Sequence, residues 1–283
     1  MTFSLVARDA DGQTFGVATA SKYLAVGASV TAVAAGVGAL ATQASTNVTY
    51  RERGLRSLRA GLTAGRTVDL LVEGDPERER RQVAVLAATG RPATFTGQHC
   101  GAVAGEVVGD DCVAVGNLLV GQGVLDAMVA AFEATPGTLA ERLLAGLAAG
   151  DAAGGDRRGR QSAALLVASG EGQLHLRSPG RVDLRVDDDP EPIPALARAL
   201  RVHAVLVAEP DPATAVPLVG SVVRELDRHL RALGRADGPL PLRLAAWAED
   251  ENLEHLLLPH AVDRLLRAEL RRHAAAQGVP ATV

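Results

Sequence analysis

Residues 1–7, Met1-Thr2-Phe3-Ser4-Leu5-Val6-Ala7, alternate from the start, with Phe3, Leu5 and Ala7 on one side and Thr2, Ser4 and Val6 on the other. A period of two marks a strand, because successive side chains leave a strand on opposite faces. A strand beginning at residue 2 is tied down where chain ends ordinarily fray. Thr2 is small enough to permit removal of Met1, which leaves a free threonine amine beside its own hydroxyl, a compact base and nucleophile. The plainer reading is that Thr2 stands there for its β-propensity. On this stretch alone the plainer reading is preferred.

Working outward, the strand runs to residue 9 and Asp9-Ala10-Asp11-Gly12 reads as a turn, Gly12 supplying a positive φ. Residues 14–20 return as a second strand, so that Ser21-Lys22-Tyr23 arrives beside Thr2. Lys22 is the only lysine among the 29 Lys and Arg residues. Further strands are expected over 26–36 and 36–44, then helices over 50–60 and 68–73, the second capped by Thr67. A hairpin follows at 82–88 and 93–96, a loop or poor strand at 101–109, and a short strand at 111–115. Residues 117–134 carry a helical stripe, and Thr138 with Glu141 has capping-box spacing for a helix to about 149. A charged, glycine-rich loop over 150–159 leads into strands at 161–169, 174–177 and 182–186.

From Pro190 the pattern changes to proline-punctuated helices at 194–208, 213–233, 242–256 and 259–276. The last places Leu265, Leu266 and Leu270 on one face and Arg264, Arg267 and Arg271 on the other. The expected organisation is a domain over 1–189 and a helical region over 190–283, itself divided into helices at 190–238 and a small module at 242–276. Runs of strands separated by helix pairs predict an α+β domain of two packed antiparallel sheets with a helix layer outside each.

With 47% hydrophobic residues the chain has ample core material, and a net charge of −4 argues against a general nucleic-acid binder. No uncharged apolar run approaches about 18 residues, so no membrane span is expected. No basic segment followed by an apolar stretch opens the chain, so no signal peptide and a cytoplasmic location are expected. Cys100 and Cys112 make no disulfide framework, and the histidines show no HExxH or H-x-H pairing. His99 and Cys100 are adjacent, which points them to opposite faces of a strand. With no GxGxxG after a strand and no Walker loop, no cofactor or metal is implied.

The element order, with a strand beginning at a threonine, resembles the N-terminal-nucleophile (Ntn) hydrolase fold, the four-layer αββα sandwich of proteasome β subunits. The Thr2 strand, the Gly12 turn and Gly16-Val17-Ala18 are similar to the proteasome opening hairpin. Gly123-Val124-Leu125-Asp126-Ala127, within 116–132, is similar to its glycine loop entering a helix, and 155–162 to its late Asp/Ser loop. A closer resemblance is to a bacterial and archaeal family catalogued as a domain of unknown function, number ten twenty-eight, classed as Ntn-hydrolase-like. TFSLVARD (2–9), GVATASKYLAVG (16–27), GVGALATQA (36–44), GNLL (116–119), GGDRRGRQSAALLV (154–167) and VDLRVDD (182–188) carry it. AWAEDENLE (246–254) is similar to a short module often fused to this family and proposed to bind peptidoglycan. Two positions depart from the proteasome pattern. Ala18 stands where an Asp is found near the end of strand two, and Lys22 comes earlier than the proteasome lysine. The closer family takes Arg there as readily as Lys, so the place asks for charge more than for proton transfer.

The resemblance implies hydrolysis of an amide or related C–N bond in a small molecule. Thr2 is then the nucleophile and its α-amine, of unperturbed pKa near about 8, the base. Lys22 would lower that pKa, and Asn117, after Gly116, would donate to the oxyanion. The plainer reading of Asn117 is a helix N-cap. Gln43 and Asn47 are further donors, with turn and cap roles as their alternative. In the 154–162 loop Asp156 would orient the Thr2 amine, and Arg157, Arg160, Gln161 and Ser162 would bind substrate, or the loop is solvated surface. Ser4 and Ser21 are alternative hydroxyls, and Ser4 lacks a terminal amine. The competing expectation is a catalytically silent subunit acting in assembly or ligand binding. Homo-oligomerisation is expected in either case, with a peptidoglycan fragment on the C-terminal module as a third idea.

Overall fold

The computed structural model describes residues 2–170 and 180–278. They fall into two compact units, Met1–Arg201 and Val202–Val283.

In the first unit the opening alternation forms β1 (Thr2–Arg8) and β2 (Phe15–Ser21), paired antiparallel from Phe3↔Ala20 to Arg8↔Phe15. The turn is held by the Asp11 carboxylate, which accepts from the backbone of Gln13 and Thr14 and from the Thr14 hydroxyl, with Gly12 at φ +65°. β3 (Thr31–Ala34), β4 (Gly38–Ala44), β5 (Arg81–Ala87) and β6 (Ala93–Thr96) form a four-stranded antiparallel sheet in chain order. β7 (Gly105–Val108), β8 (Cys112–Asn117), β9 (Ser162–Ala168) and β10 (Arg181–Val186) join the opening hairpin in a six-stranded sheet ordered β10-β9-β2-β1-β8-β7. Thr2 thus begins a central strand.

The two faces of β1 bury different things. Val6, with Val17, Val113 and Val115, packs on Ala39, Ala41, Ala84 and Leu86 of the smaller sheet. Phe3 and Leu5 face the other way, onto α3 (Gly123–Ala134) and α4 (Leu139–Ala152) through Met128, Phe132, Leu143 and Leu147. The smaller sheet buries Leu40, Val83 and Val85 against Tyr50 and Leu58 of α1 (Thr49–Arg59) and Val68 and Leu71 of α2 (Ala64–Glu73). Strands covered on both faces carry apolar and hydroxyl residues without the polar-out alternation of a half-wet sheet. α4 lies so close that a Cβ on Gly146 would sit 2.6 Å from Leu5 Cδ2 and 2.8 Å from the Met128 carbonyl oxygen.

Several local expectations shift. The strand expected over 26–36 becomes a 3₁₀ turn at Val26–Ala28 followed by β3, because Ala25 turns left-handed at φ 52° and the Val26 N–H is taken by the Ser162 hydroxyl. α2 is capped by Thr63, whose hydroxyl accepts from the Arg66 N–H, and not by Thr67, which is buried inside the helix. The 101–109 stretch yields β7, an edge strand. The helix expected from 117 starts at Gly123, and Asn117 is instead the last residue of β8. Thr138 and Glu141 do form the reciprocal capping box. The strand expected over 174–177 lies outside the described residues. α5 (Pro192–Leu206) adds Ile193, Leu196 and Leu200 to the core shared by the six-stranded sheet and α4.

The second unit contains α6 (Gly220–Ala232), α7 (Leu240–Asp250) and α8 (Arg264–Ala276), with short strands β11 (Val216–Pro217), β12 (Leu257–Leu258) and β13 (Ala261–Val262). Its core gathers Leu226, Leu230, Leu244, Trp247, Leu266 and Leu270. On α8 the buried stripe is Leu266, Leu270 and Ala274, an i, i+4, i+8 row, while Leu265 is 39% exposed. Glu225 accepts bidentate pairs from both Arg267 and Arg271. Burial would push this carboxyl up, but the two guanidinium groups prevail and hold it at about 2.

Candidate functional site

The start of β1 is fixed from both sides. Thr2 pairs with Asn117 across to β8, and its hydroxyl donates to Ser21 Oγ at 3.1 Å. The Thr2 carbonyl accepts from Gln43 Nε2 at 3.0 Å and from Asn117 Nδ2 at 3.4 Å. Those same amide nitrogens donate to Gln82 Oε1 at 2.8 and 2.9 Å, and Gln82 Nε2 donates to the Gly116 carbonyl at 2.8 Å. Ser4 Oγ donates to Gln43 Oε1 at 2.6 Å and lies 2.8 Å from Thr19 Oγ1. This polar layer between the sheets is buried and internally satisfied, as burial requires. Asn117 and Gln43, expected as oxyanion donors, are therefore engaged with the Thr2 carbonyl and Gln82. Asn117 is not a helix cap either, since it ends a strand.

Thr2, only 7% exposed, lines a cavity of about 300 Å³. Val26, Ser29 and Val30 form one wall, and Ala44, Thr46 and Val48 another, with Tyr23 and Arg158 completing it. Both walls depend on left-handed, non-glycine residues, Ala25 at φ 52° and Ala44 at φ 68°, which turn the chain away from its strand direction. The first wall is pinned to β9 by Ser162, whose hydroxyl donates to the Tyr23 carbonyl and accepts from the Val26 N–H. The second is backed by a buried charge cluster. Arg81 donates to the Ser45 carbonyl and hydroxyl and pairs with Asp75, which also accepts from Asn47 Nδ2 and the Tyr50 hydroxyl. Burial would raise the Asp75 carboxyl, but these donors outweigh it and hold it well below the usual carboxylate range.

The remaining expected residues distribute as follows. Asp156 is buried and accepts from the Lys22 N–H, the Arg158 N–H and the Arg158 guanidinium, so it joins the end of β2 to the charged loop. It lines a small separate recess with Phe3, Ser21 and Ser162. The exposed Lys22 turns its ammonium to the Arg160 carbonyl at 3.2 Å. Arg160 pairs with Asp151, Gln161 donates to Asp188, and the Asn47 side chain caps the entry to α1 through Thr49. Arg157, Arg160, Gln161, Asn47 and Lys22 are not among the cavity-lining residues; Thr2 and Arg158 are. Sequence reading considered the loop's arginines together and singled out Arg157 and Arg160, not Arg158, and it passed over Ser29, Thr46 and Gln82 as site residues. For Arg158 the signal was its place in the same Arg-Arg pair as Arg157, with nothing local to say which faces inward.

Both cysteines are buried, and burial pushes their thiols up, that of Cys112 to about 12, which leaves little thiolate for nucleophilic use. Among the described residues, no group of three or more His, Cys, Asp and Glu is placed to hold a metal ion. No described helix is long and apolar enough to cross a membrane.

A family model described as a family of unknown function, DUF1028, matches residues 2–196. Among solved structures, the crystal structure of a Silicibacter pomeroyi protein carrying the same family designation is similar with a TM-score of 0.64 at 33% sequence identity. The match covers 78% of this chain and 88% of that one. No curated protein matches the chain.

Proposed function

The chain belongs to DUF1028, a family of unknown function, and from its site we propose an N-terminal-nucleophile hydrolase, on the four-layer αββα fold, that cleaves an amide or related C–N bond of a small molecule. The observation that carries this reading is that Thr2 lines a cavity while its carbonyl is clamped by Gln43 and Asn117. After removal of Met1, Thr2 Oγ attacks the substrate carbonyl and its proton passes to the Thr2 α-amine. The C–N bond breaks as that proton moves to the leaving nitrogen, and water then hydrolyses the acyl ester, restoring the hydroxyl. In this reading the two amides hold the nucleophile in place, and Asp156 positions the charged loop. A small-molecule substrate, a cytoplasmic location and a homo-oligomeric state belong to the same reading.

Intact-protein mass before and after treatment with a Thr-directed β-lactone tests it. Loss of Met1 and one adduct on Thr2 are expected, kept in Thr2→Ser and absent in Thr2→Ala. Retained Met1, or an unmodified Thr2, would overturn it.

A second reading, a catalytically silent subunit acting in assembly or ligand binding, is favoured by two observations. The amides expected to stabilise an oxyanion are used elsewhere, and the Lys22 ammonium is turned to the Arg160 carbonyl. It predicts ligand binding with an unreactive Thr2.

A further inference from the structure

We propose that the Thr2 cavity takes a small carboxylate with an aliphatic body and no cationic amine, of which an N-acyl amino acid is the type, and that Arg158 is the residue that reads the carboxylate. The inference rests on the reading above only in taking this cavity as the place where ligand sits.

Among the described lining residues Arg158 has the only charged side chain. Its partner Asp156 has a side chain 3% exposed while that of Arg158 is 40% exposed, so the pair buries its negative end and turns its positive end outward. Asp156 grips Arg158 at three points, the backbone N–H at 2.8 Å, Nε at 3.3 Å and an Nη at 3.1 Å. A guanidinium held in this way loses little rotamer freedom on meeting an anion, and a hydrogen bond from it to a carboxylate is charge-assisted.

Phosphate fits less well. The N-terminus of α1 borders the cavity at Val48, but its N–H groups are spent: Thr49 on Asn47 Oδ1, Tyr50 on the Asn47 carbonyl and Arg51 on the Val48 carbonyl. A dianion would therefore meet, among the described side chains, one guanidinium and no helix-end donors. The apolar wall of Val26, Val30 and Val48 takes an aliphatic body, with Tyr23, 63% exposed, at the rim. No acidic side chain among the described lining residues is available to a free ammonium, which disfavours an unacylated amino acid. A volume of about 300 Å³ suits a metabolite and not a folded chain.

The test uses Thr2→Ala protein, so that nothing is turned over, with binding measured by calorimetry. The probes are N-acetylvaline, its neutral primary amide, free valine and inorganic phosphate. A charge-assisted contact predicts that the acid binds about tenfold or more tighter than the amide, and tighter than valine or phosphate. Arg158→Gln should erase that preference, Arg158→Lys should keep part of it, and Arg157→Gln should leave it unchanged. Equal binding of acid and amide, preference for phosphate or valine, no binding at millimolar concentration, or a preference surviving in Arg158→Gln would each overturn the proposal. Acid binding without a β-lactone adduct on wild-type Thr2 sinks the hydrolase reading alone, and an adduct without acid preference sinks this one alone.

Discussion

Asn117 Nδ2 donates to Gln82 Oε1 at 2.9 Å, inside the interface between the two sheets. The contact joins the end of β8 to the start of β5 and, through Gln43 on the same oxygen, fixes the first residue of β1. Replacing Gln82 by Leu leaves the Asn117 and Gln43 amides without this acceptor in a buried place. A loss of about 2–3 kcal/mol in urea unfolding is expected. A loss below about 0.5 kcal/mol would show that water or a local rearrangement replaces Gln82.

Arg81 holds one cavity wall from behind. Arg81→Met removes its donors to Ser45 and leaves Asp75 buried without its cation. Breaking one side of such a pair costs about 3–5 kcal/mol. Hydrogen exchange of the backbone over 44–48 should rise more than that of the β4 and β5 centres. Uniform acceleration across the sheet would mean that Arg81 supports the whole fold and not that wall in particular.

Glu225 makes the second unit acid-sensitive. Its folded carboxyl is held at about 2 against an ordinary 4.5, so its contribution is complete above pH 4.5 and is lost as pH falls toward 2. At about 1.4 kcal/mol per unit, this is on the order of 3 kcal/mol. Thermal melts read at Trp247, which sits in the core of that unit, should fall across this window. Glu225→Gln should start lower and flatten the slope. An unchanged slope in the variant would assign the acid loss to other carboxylates.

Cys112 should resist thiol reagents while the protein is folded. Its thiol is buried and pushed up to about 12, first by burial and then by the nearby Glu133 carboxylate. Mass spectrometry after iodoacetamide at pH 8 should show it unmodified, with full labelling in denaturant. Rapid native labelling would mean that β8 opens locally.

The hairpin of β1 and β2 and the two faces of β1 were legible because a period of two encodes facing locally. The capping box at Thr138 was legible because its reciprocal bonds span only three residues. The roles of Asn117 and Lys22 were not. Asn117 follows Gly116 and precedes a helical stripe, and only its pairing with Thr2 across 115 residues shows that the strand continues to it. Lys22 does return to the end of the sheet where Thr2 begins, but the long, flexible side chain turns to the Arg160 carbonyl.

By itself the sequence determined which segments are strands and helices through much of the first unit, and that Thr2 begins a strand. These follow from propensity, periodicity and capping over a few residues. The tertiary structure alone decided that Arg158 and not Arg157 reaches the Thr2 cavity, and that Gln43 and Asn117 clamp a carbonyl. Those choices depend on Asp156 meeting Lys22 across 134 residues and on Gln82 accepting two amides from different strands. A loop's side-chain direction has no period of its own, so it is set by whatever distant groups the fold brings beside it.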